Sequence, residues 1–223
     1  LDDLTDDLDM AFLCSPSNPA GQVIPEALLR KVISRCQEKG IRLVLDECFI
    51  EFADKEKAFY AEREAAAYPQ MFVARAFTKM HAIPGLRLGY GITSDTELME
   101  RMSRARQPWS VSIPAQEAGI AALSEEEALK TEKTRILIQA ERARMEQELA
   151  GLGIHVIPSE ANFILMHSSM DLAEKLKGKG ILIRDCGNYR GLEKGWYRAA
   201  VRLPEENDLL LKAVREISER RTY

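Results

Sequence analysis

The residues with the clearest chemical potential lie in one stretch, Phe77 to Tyr90, which has the sequence FTKMHAIPGLRLGY. Thr78 precedes Lys79, a Pro-Gly turn follows, and Arg87 stands at the head of the next apolar run. A lysine amine can bond covalently to an aldehyde cofactor, and a neighbouring hydroxyl and guanidinium can donate hydrogen bonds to a phosphate. The stretch therefore suits an aldehyde cofactor that carries a phosphate. An exposed loop with two ordinary cations explains the same residues equally well, so the rest of the chain has to separate the two interpretations.

The elements before this stretch predict a parallel sheet with helices on its faces. Residues 10–13 form an apolar strand that ends in a loop rich in proline and glycine, and residues 41–45 form a buried strand. Between them, apolar side chains recur at helical spacing from Pro25 until Gly40. Strand, helix and strand in this order make a βαβ unit, in which the strands are parallel. A third strand is predicted at Met71 to Ala76, directly before the lysine stretch.

Polar side chains follow these strands at the points where the strands end. Asn18 lies in the loop after the first strand, Asp46 follows the second and Lys79 follows the third. Because ligands of open parallel sheets sit outside the carboxyl ends of the strands, we expect these side chains near one ligand. Asp46 would keep the ring nitrogen of a pyridine aldehyde phosphate protonated, and Asn18 would donate to the ring oxygen. Thr78 and Arg87 would hold the phosphate.

The composition predicts a cytoplasmic globular protein. The chain has 223 residues and a net charge of −4 with interspersed signs, so nucleic acid and membranes are not expected partners. No apolar run approaches the roughly 20 residues of a membrane span. The four cysteines lack metal-binding spacing, which favours reduced thiols over disulfides or a zinc site. The three histidines are isolated in the sequence, and we expect structural or surface roles for them.

The predicted fold class is α/β, with a mixed and mostly parallel sheet followed by a small α+β domain. We expect a large domain over residues 1–123, a linking helix over 124–150 and a small domain over 151–223. Four apolar residues of the linking helix are predicted to face a core: Leu129, Ile136, Leu137 and Leu149. Short strands are expected in the small domain at Ile154 to Ile157, Phe163 to Met166, Ile181 to Arg184 and Trp196 to Arg202.

Three motifs, SNPAG (17–21), LVLDECFIEF (43–52) and FTKMHAIPGLRLGY (77–90), resemble those of the fold-type I pyridoxal-phosphate enzymes in the class I/II aminotransferase superfamily. Within it, the chain is most similar to threonine-phosphate decarboxylases of cobalamin synthesis and to histidinol-phosphate aminotransferases. Cys48-Phe49 stands where aminotransferases usually carry a tyrosine that contacts the cofactor ring, which favours the decarboxylase branch. Four further segments look like that branch: RQPWSVS, ANFIL, GILIRDCGNYRGL and YRAAVRLPEEND.

The resemblance implies pyridoxal 5′-phosphate as cofactor. Lys79 matches the lysine that bonds to its aldehyde, and Asp46 matches the partner of its ring nitrogen. Asn18 matches the asparagine on the ring oxygen, while Thr78 and Arg87 match phosphate-binding positions. The structural alternatives are a loop cap for Asp46, which the joint spacing with Lys79 disfavours, and a plain turn residue for Asn18. The neighbouring carboxylates of Glu47 and Glu51 are predicted to be solvated or structural rather than catalytic.

On the substrate side, Arg198 matches the arginine that binds the substrate carboxylate. Arg184 matches the position that binds the substrate phosphate in histidinol-phosphate enzymes, and Arg202 is a further cation that could share either charge. Asn162 resembles a residue that lines the substrate side of the site. The alternatives are a carboxylate partner for Arg184 and a surface position for one of the other two arginines.

Together these matches imply the aspartate aminotransferase type of fold, a homodimer and a phosphorylated small-molecule amino acid as substrate. The residues leave open whether the substrate loses its carboxylate, as in a threonine-phosphate decarboxylase, or its amino group, as in a histidinol-phosphate aminotransferase of histidine biosynthesis. Family members also have an upstream region that completes the cofactor cradle, and no counterpart precedes Leu1, so we expect an N-terminally truncated large domain. An inactive remnant of the fold, with a structural or interaction role, is the alternative from another functional class.

Overall fold

The computed structural model describes residues 1–219, whose strands form two four-stranded sheets. The chain divides into two compact units, each with its own sheet and core. The first unit comprises Leu1–Pro16 and Val23–Lys133, and the second comprises Ser17–Gln22 and the chain from Thr134 onwards. The short Ser17–Gln22 segment therefore belongs to the second unit, although its neighbours in sequence belong to the first.

The sheet of the first unit confirms the predicted mixed and mostly parallel arrangement. Its strands, in spatial order, are β1 (Met10–Cys14), β2 (Arg42–Asp46), β3 (Met71–Ala76) and β4 (Gly89–Ile92). The first three are parallel, and β4 pairs antiparallel with β3. The register places Cys14, Asp46 and Ala74 side by side, so the carboxyl ends of the parallel strands meet at one edge. Lys79 follows the end of β3 at this edge.

Helix α1 (Glu26–Lys39) connects β1 to β2, as the sequence predicts. Leu29, Ile33 and Cys36 on its buried face pack into the core of the first unit, together with side chains of the strands. The helix ends at Gly40, whose φ of 68° lies in the left-handed region and whose N–H donates to the carbonyls of the last turn. A βαβ unit thus forms the centre of the first unit.

Three further α-helices lie wholly within the first unit: α2 (Glu62–Ala67), α3 (Thr96–Ala105) and α4 (Ile113–Ala122). The Asp95 carboxylate accepts from the Leu98 N–H at 2.9 Å and caps α3, and the Ser112 hydroxyl accepts from the Ala115 N–H at 3.3 Å and caps α4. Both caps satisfy backbone donors that the first turn of a helix leaves without a partner.

Helix α5 (Glu125–Gly151) crosses the division between the two units and corrects one prediction. Leu149 is fully buried, but Leu129, Ile136 and Leu137 are 67%, 55% and 39% exposed. The prediction that all four face a core is wrong for these three. The reason is that the buried residues of α5 are confined to its C-terminal part, where they pack on the second sheet: Glu141, Arg142, Met145 and Leu149.

The sheet of the second unit is antiparallel throughout. Its strands, in spatial order, are β5 (His155–Ile157), β6 (Phe163–His167), β8 (Trp196–Ala200) and β7 (Arg184–Asp185). Helices α6 (Leu172–Lys177) and α7 (Pro204–Glu219) cover the core, which includes Ile164, Met166 and Tyr197. The predicted strand at Ile181 to Arg184 is wrong in extent, since the strand found there comprises only Arg184 and Asp185. Ile181 and Ile183 precede it and pack against the core without pairing in the sheet. His155 and His167 pair directly across β5 and β6, so these two histidines are neighbours.

The Ser17–Gln22 segment is fastened within the second unit by backbone contacts. The Glu160 N–H donates to the Gly21 carbonyl at 2.7 Å, and the Ser17 N–H donates to the Gln22 carbonyl at 2.8 Å. Gly21 has a φ of +74° and faces the buried Ser159, whose hydroxyl accepts from the Ala161 N–H at 3.0 Å. Only a glycine fits this position without displacing the serine.

We therefore expect Gly21→Ala to destabilise the protein more than Gly153→Ala does. A Cβ at residue 21 would lie 2.0 Å from the Ser159 Oγ, whereas a Cβ at Gly153, with a φ of +75°, would meet nothing within 4 Å. Both variants carry the left-handed cost of about 1–2 kcal/mol, and Gly21→Ala adds an overpacking cost of about 1–3 kcal/mol. Urea denaturation measures the difference, and equal free energies of unfolding would contradict the described packing of the segment.

Candidate active site

The carboxyl edge of the first sheet holds Asp46, the last residue of β2. The Cys48 N–H donates to Asp46 Oδ1 at 2.9 Å. A side chain that accepts a backbone N–H two residues further on is typical of a tight turn after a strand. The turn therefore fixes the direction of the Asp46 carboxylate at the edge of the sheet.

Lys79 lies in the turn that follows β3, and its side chain is exposed. Its Nζ is 5.2 Å from the centroid of the Phe49 ring, a cation–π distance. The charge of Lys79 lowers the pKa of Cys48 while that of Asp46 raises it, so both groups lie within electrostatic reach of one thiol. The structure thus brings together Asp46 and Lys79, which the sequence singles out, and adds Phe49.

Burial raises the pKa of Cys48 to about 12, and the nearby Asp46 carboxylate acts in the same direction. A thiol with this pKa stays protonated at neutral pH. Since the thiolate is the reactive form of cysteine, Cys48 is not a nucleophile here.

Glu47 is buried and makes an ion pair that the sequence did not reveal. Its Oε2 accepts from Arg75 Nε at 2.9 Å and from Arg75 Nη2 at 2.6 Å, and its Oε1 accepts from the Ala61 N–H at 3.0 Å. Burial raises the pKa of Glu47, against the opposing effect of these donors. Because Arg75 belongs to β3, the pair ties the end of β2 to β3. Of the two predicted roles for Glu47, solvated or structural, the structure confirms the structural one.

The two predicted phosphate-binding residues lie on either side of Lys79 in the loop between β3 and β4. Thr78 is half-buried, and Arg87 is exposed with a φ of 56°. Arg87 Nη1 donates to the Pro84 carbonyl at 3.0 Å, so the guanidinium folds back on its own turn. The Phe77 N–H donates to the Leu88 carbonyl at 3.2 Å, which closes the loop at its base. Binding of a phosphate by either residue stays a prediction.

Asn18 and Arg198 meet in the second unit. Arg198 Nη1 donates to Asn18 Oδ1, and the Arg198 guanidinium carbon lies 5.0 Å from the centroid of the Phe163 ring. Arg198 sits in β8 and Phe163 in the neighbouring β6, so the sheet itself holds the guanidinium over the ring. The predicted substrate arginine is therefore fixed by an amide and an aromatic face.

Arg184 lies directly opposite Arg198 in the β7–β8 ladder. Directly opposed side chains share one face of the sheet, and like charges at such positions are destabilising. Arg184 Nη2 donates to Asn188 Oδ1 at 3.2 Å, a neutral partner. Arg202, in contrast, forms an ion pair with Glu206 at 2.7 Å on the surface. The structure therefore places Arg184 and Arg198 opposite each other, whereas Arg202 forms its ion pair with a carboxylate.

Asn162 is half-buried just before β6, and its carbonyl accepts from the Val201 N–H at 2.9 Å. Its position depends on Arg142 of α5, which the sequence did not single out. Arg142 is buried and donates to the Ala161 carbonyl at 3.0 Å and to Glu160 Oε2 at 2.9 Å. An arginine within a charged helix carries no sequence signal that separates this role from a surface one.

Among the described residues, no group of three or more His, Cys, Asp and Glu side chains is arranged to hold a metal ion. All four cysteines are free thiols. None of the described helices is long and apolar enough to span a membrane.

The contribution of the Glu47–Arg75 ion pair to stability can be tested by removing its carboxylate. We expect Glu47→Ala to lower the free energy of unfolding by about 3–5 kcal/mol, because it leaves a half-buried arginine without its main partner. Glu62 contacts the same guanidinium at 2.5 Å from a 43% exposed side chain, so Glu62→Ala is the matched control. We expect it to cost less than about 1 kcal/mol. Equal losses in chemical denaturation would contradict a dominant role for Glu47.

Comparisons with known proteins agree with the resemblance in the motifs. The family model for aminotransferase class I and II matches residues 1–214. The threonine-phosphate decarboxylase of Salmonella typhimurium is 40% identical over 221 residues, which are 97% of this chain and 60% of that protein. The structure of the histidinol-phosphate aminotransferase from Clostridium acetobutylicum superposes with a TM-score of 0.89 at 32% identity, covering 96% of this chain and 65% of that one.

A third relative is the histidinol-phosphate aminotransferase of Sinorhizobium meliloti, solved in complex with pyridoxal-5′-phosphate. It superposes with a TM-score of 0.82 at 25% identity, over 95% of this chain and 58% of that one. The predicted fold type is thus confirmed. The chain spans about 60% of the length of the curated relatives it matches.

Proposed function

The chain belongs to the aminotransferase class I and II family, and on this basis we propose that it is a pyridoxal-phosphate-dependent enzyme acting on a phosphorylated amino acid. The names of its relatives support this class, since threonine-phosphate decarboxylase and histidinol-phosphate aminotransferase both refer to phosphorylated compounds. Cytoplasmic location and a homodimeric state are part of the same proposal and rest on the resemblance.

The residues at the carboxyl edge of the first sheet fit this cofactor. Pyridoxal phosphate, when bound, supplies a protonated ring that accepts electrons from the substrate Cα. The Asp46 carboxylate, aimed by its turn, would hold the proton on the ring nitrogen. Lys79 Nζ would hold the cofactor covalently and, once free, could move a proton at the substrate Cα. Thr78 and Arg87 would donate to the cofactor phosphate, and Asn18 to the ring oxygen.

The observation that carries the substrate class is the direct opposition of Arg184 and Arg198. Two guanidiniums on one face of a sheet repel each other unless a ligand brings negative charge to both. An amino-acid phosphate brings a carboxylate and a phosphate, and arginine binds both groups through paired hydrogen bonds. We assign the carboxylate to Arg198 and the phosphate to Arg184, with Asn162 lining the substrate. Because Arg202 forms an ion pair with Glu206, we assign it a smaller part in binding the negative charges of the substrate.

Loss of the carboxylate is the reaction that we favour. Phe49 has no hydroxyl to offer the cofactor ring, as a tyrosine at this place in aminotransferases would, and the 40% identical relative is a threonine-phosphate decarboxylase. The second candidate is amino transfer of the histidinol-phosphate type, which the likeness to the Clostridium acetobutylicum structure supports. An inactive remnant of the fold is the alternative outside enzymes.

The covalent role of Lys79 predicts a cofactor absorbance band that depends on this residue. We expect the protein mixed with pyridoxal phosphate to develop a band near the visible edge, and Lys79→Ala to abolish it. Lys31→Ala, at an exposed lysine of α1, should leave the band intact. Absence of the band in the unaltered protein at every cofactor concentration would reject the proposed function for this chain.

The opposed arginines predict which substrates are lost in each variant. Arg184→Ala should raise KM for threonine phosphate about 10- to 100-fold, the usual value of a hydrogen-bonded charge, and leave KM for threonine nearly unchanged. Arg198→Ala should weaken both, and Arg190→Ala, at an exposed arginine nearby, should weaken neither. Carbon dioxide release measures decarboxylation, and 2-oxoglutarate-dependent amino transfer measures the alternative. An equal effect of Arg184→Ala on both substrates would contradict phosphate binding by this residue.

A further inference from the structure

Arg184 has a neutral partner where several other surface arginines have carboxylates. Its Nη2 donates to Asn188 Oδ1 at 3.2 Å, and no carboxylate within residues 1–219 lies at ion-pair distance from its guanidinium. Three arginines at the same spacing of four residues pair with glutamates instead: Arg30 with Glu26 at 2.8 Å, Arg104 with Glu100 at 3.1 Å and Arg202 with Glu206 at 2.7 Å. The charge of Arg184 is therefore not compensated by an ion pair in the part of the chain that the structure describes.

The turn that carries Asn188 also occupies the carboxylate nearest to Arg184 in sequence. Asp185 Oδ1 accepts from the Gly187 N–H at 2.8 Å. Adjacent residues of a strand point to opposite faces, so Asp185 is turned away from the face that Arg184 shares with its partner strand. Cys186 is fully buried, and its N–H donates to a carbonyl of β8 at 2.8 Å. The turn is thus anchored to the sheet and presents an amide to Arg184.

The charge of its partner decides what an exposed guanidinium can offer an incoming phosphate. A guanidinium that is paired with a carboxylate has to release this partner, or share its donors with it, before a phosphate can bind. An amide oxygen accepts one N–H, leaves the other donors of the guanidinium free and cancels no charge. The amide also holds the Arg184 side chain in place against the repulsion of Arg198, which lies opposite.

We propose that Asn188 is a positioning residue that determines specificity, because it holds Arg184 through a neutral amide and so keeps the charge of this arginine available to the substrate phosphate. The inference rests on the proposed function, since the charge has this use only if Arg184 meets a phosphorylated amino acid. Asn188 contacts the arginine and has no direct part in the reaction.

The change Asn188→Asp tests the neutrality of the partner, because it keeps the size of the side chain and adds a charge. We expect it to raise KM for threonine phosphate about 10-fold and to leave KM for threonine within about twofold of the wild type. Asn188→Ala removes the acceptor without adding a charge, and it should raise KM for threonine phosphate about 2- to 5-fold.

These two variants separate the proposal from a role in hydrogen bonding alone. A carboxylate accepts from a guanidinium at least as well as an amide does, so such a role would leave Asn188→Asp at the wild-type KM. That result would overturn the proposal, and so would an equal rise of KM for threonine and threonine phosphate.

A double-mutant cycle tests whether Asn188 acts through Arg184. In the Arg184→Ala background, Asn188→Asp should raise KM for threonine phosphate by no more than about twofold. The same 10-fold rise as in the wild type would show that the new carboxylate repels the substrate directly, and it would overturn the proposal. Dissociation constants for threonine phosphate, measured by calorimetry on the protein with pyridoxal phosphate, should follow the same order and do not depend on turnover.

Failure of this inference can be told apart from failure of the proposed function. If the wild type forms no cofactor band that depends on Lys79, the proposed function fails and the role of Asn188 fails with it. If the band forms and Arg184→Ala weakens the binding of threonine phosphate, but both Asn188 variants bind it as the wild type does, only the role of Asn188 is overturned.

Discussion

The ion pair between the buried Glu47 and the half-buried Arg75 is the constraint on which the carboxyl edge of the first sheet depends. Two charges removed from water are tolerated only when hydrogen bonds replace their hydration. Glu47 accepts three hydrogen bonds, and Arg75 also reaches Glu62 and lies 5.5 Å from the Tyr60 ring centroid. The pair joins the end of β2 to β3 and to the start of α2. The turns that carry Asp46 and Lys79 begin where these strands are joined.

Asp46 and Glu47 are adjacent carboxylates with different surroundings. Successive side chains of a strand point to opposite faces, so adjacent carboxylates at its end are separated. Glu47 is turned into the protein and pairs there with Arg75, while Asp46 stays at the edge and accepts from the Cys48 N–H. Under the proposed function, the structural and the chemical roles of negative charge thus belong to different residues. The edge keeps one carboxylate whose charge is not cancelled by an arginine in the same turn.

Much of this arrangement could be predicted from the sequence, because it depends on local signals. Proline and glycine mark the ends of α1, β3 was predicted to the residue, and parallel strands necessarily bring Asp46 and the turn of Lys79 to one edge. The ion pair of Glu47 could not be predicted, since its partner is 28 residues away and depends on how β2 and β3 align. Helical periodicity likewise predicted that α5 has an apolar face but could not show how far along the helix a core extends.

The two opposed arginines of the second unit differ in how firmly they are held, and this difference has a consequence for specificity. Arg198 lies in a central strand, stacked on Phe163 and bonded to Asn18, whereas Arg184 is exposed on a two-residue strand at the edge of the sheet. A cation held by several contacts dictates where its anion sits, whereas an exposed cation with fewer contacts can meet an anion over a range of positions. Under the proposed function, Arg198 therefore sets the orientation of the carboxylate common to amino acids. Arg184 contributes affinity for a phosphate without dictating its distance from that carboxylate, so it selects phosphorylated substrates as a class. Discrimination by chain length within that class must come from residues other than this pair.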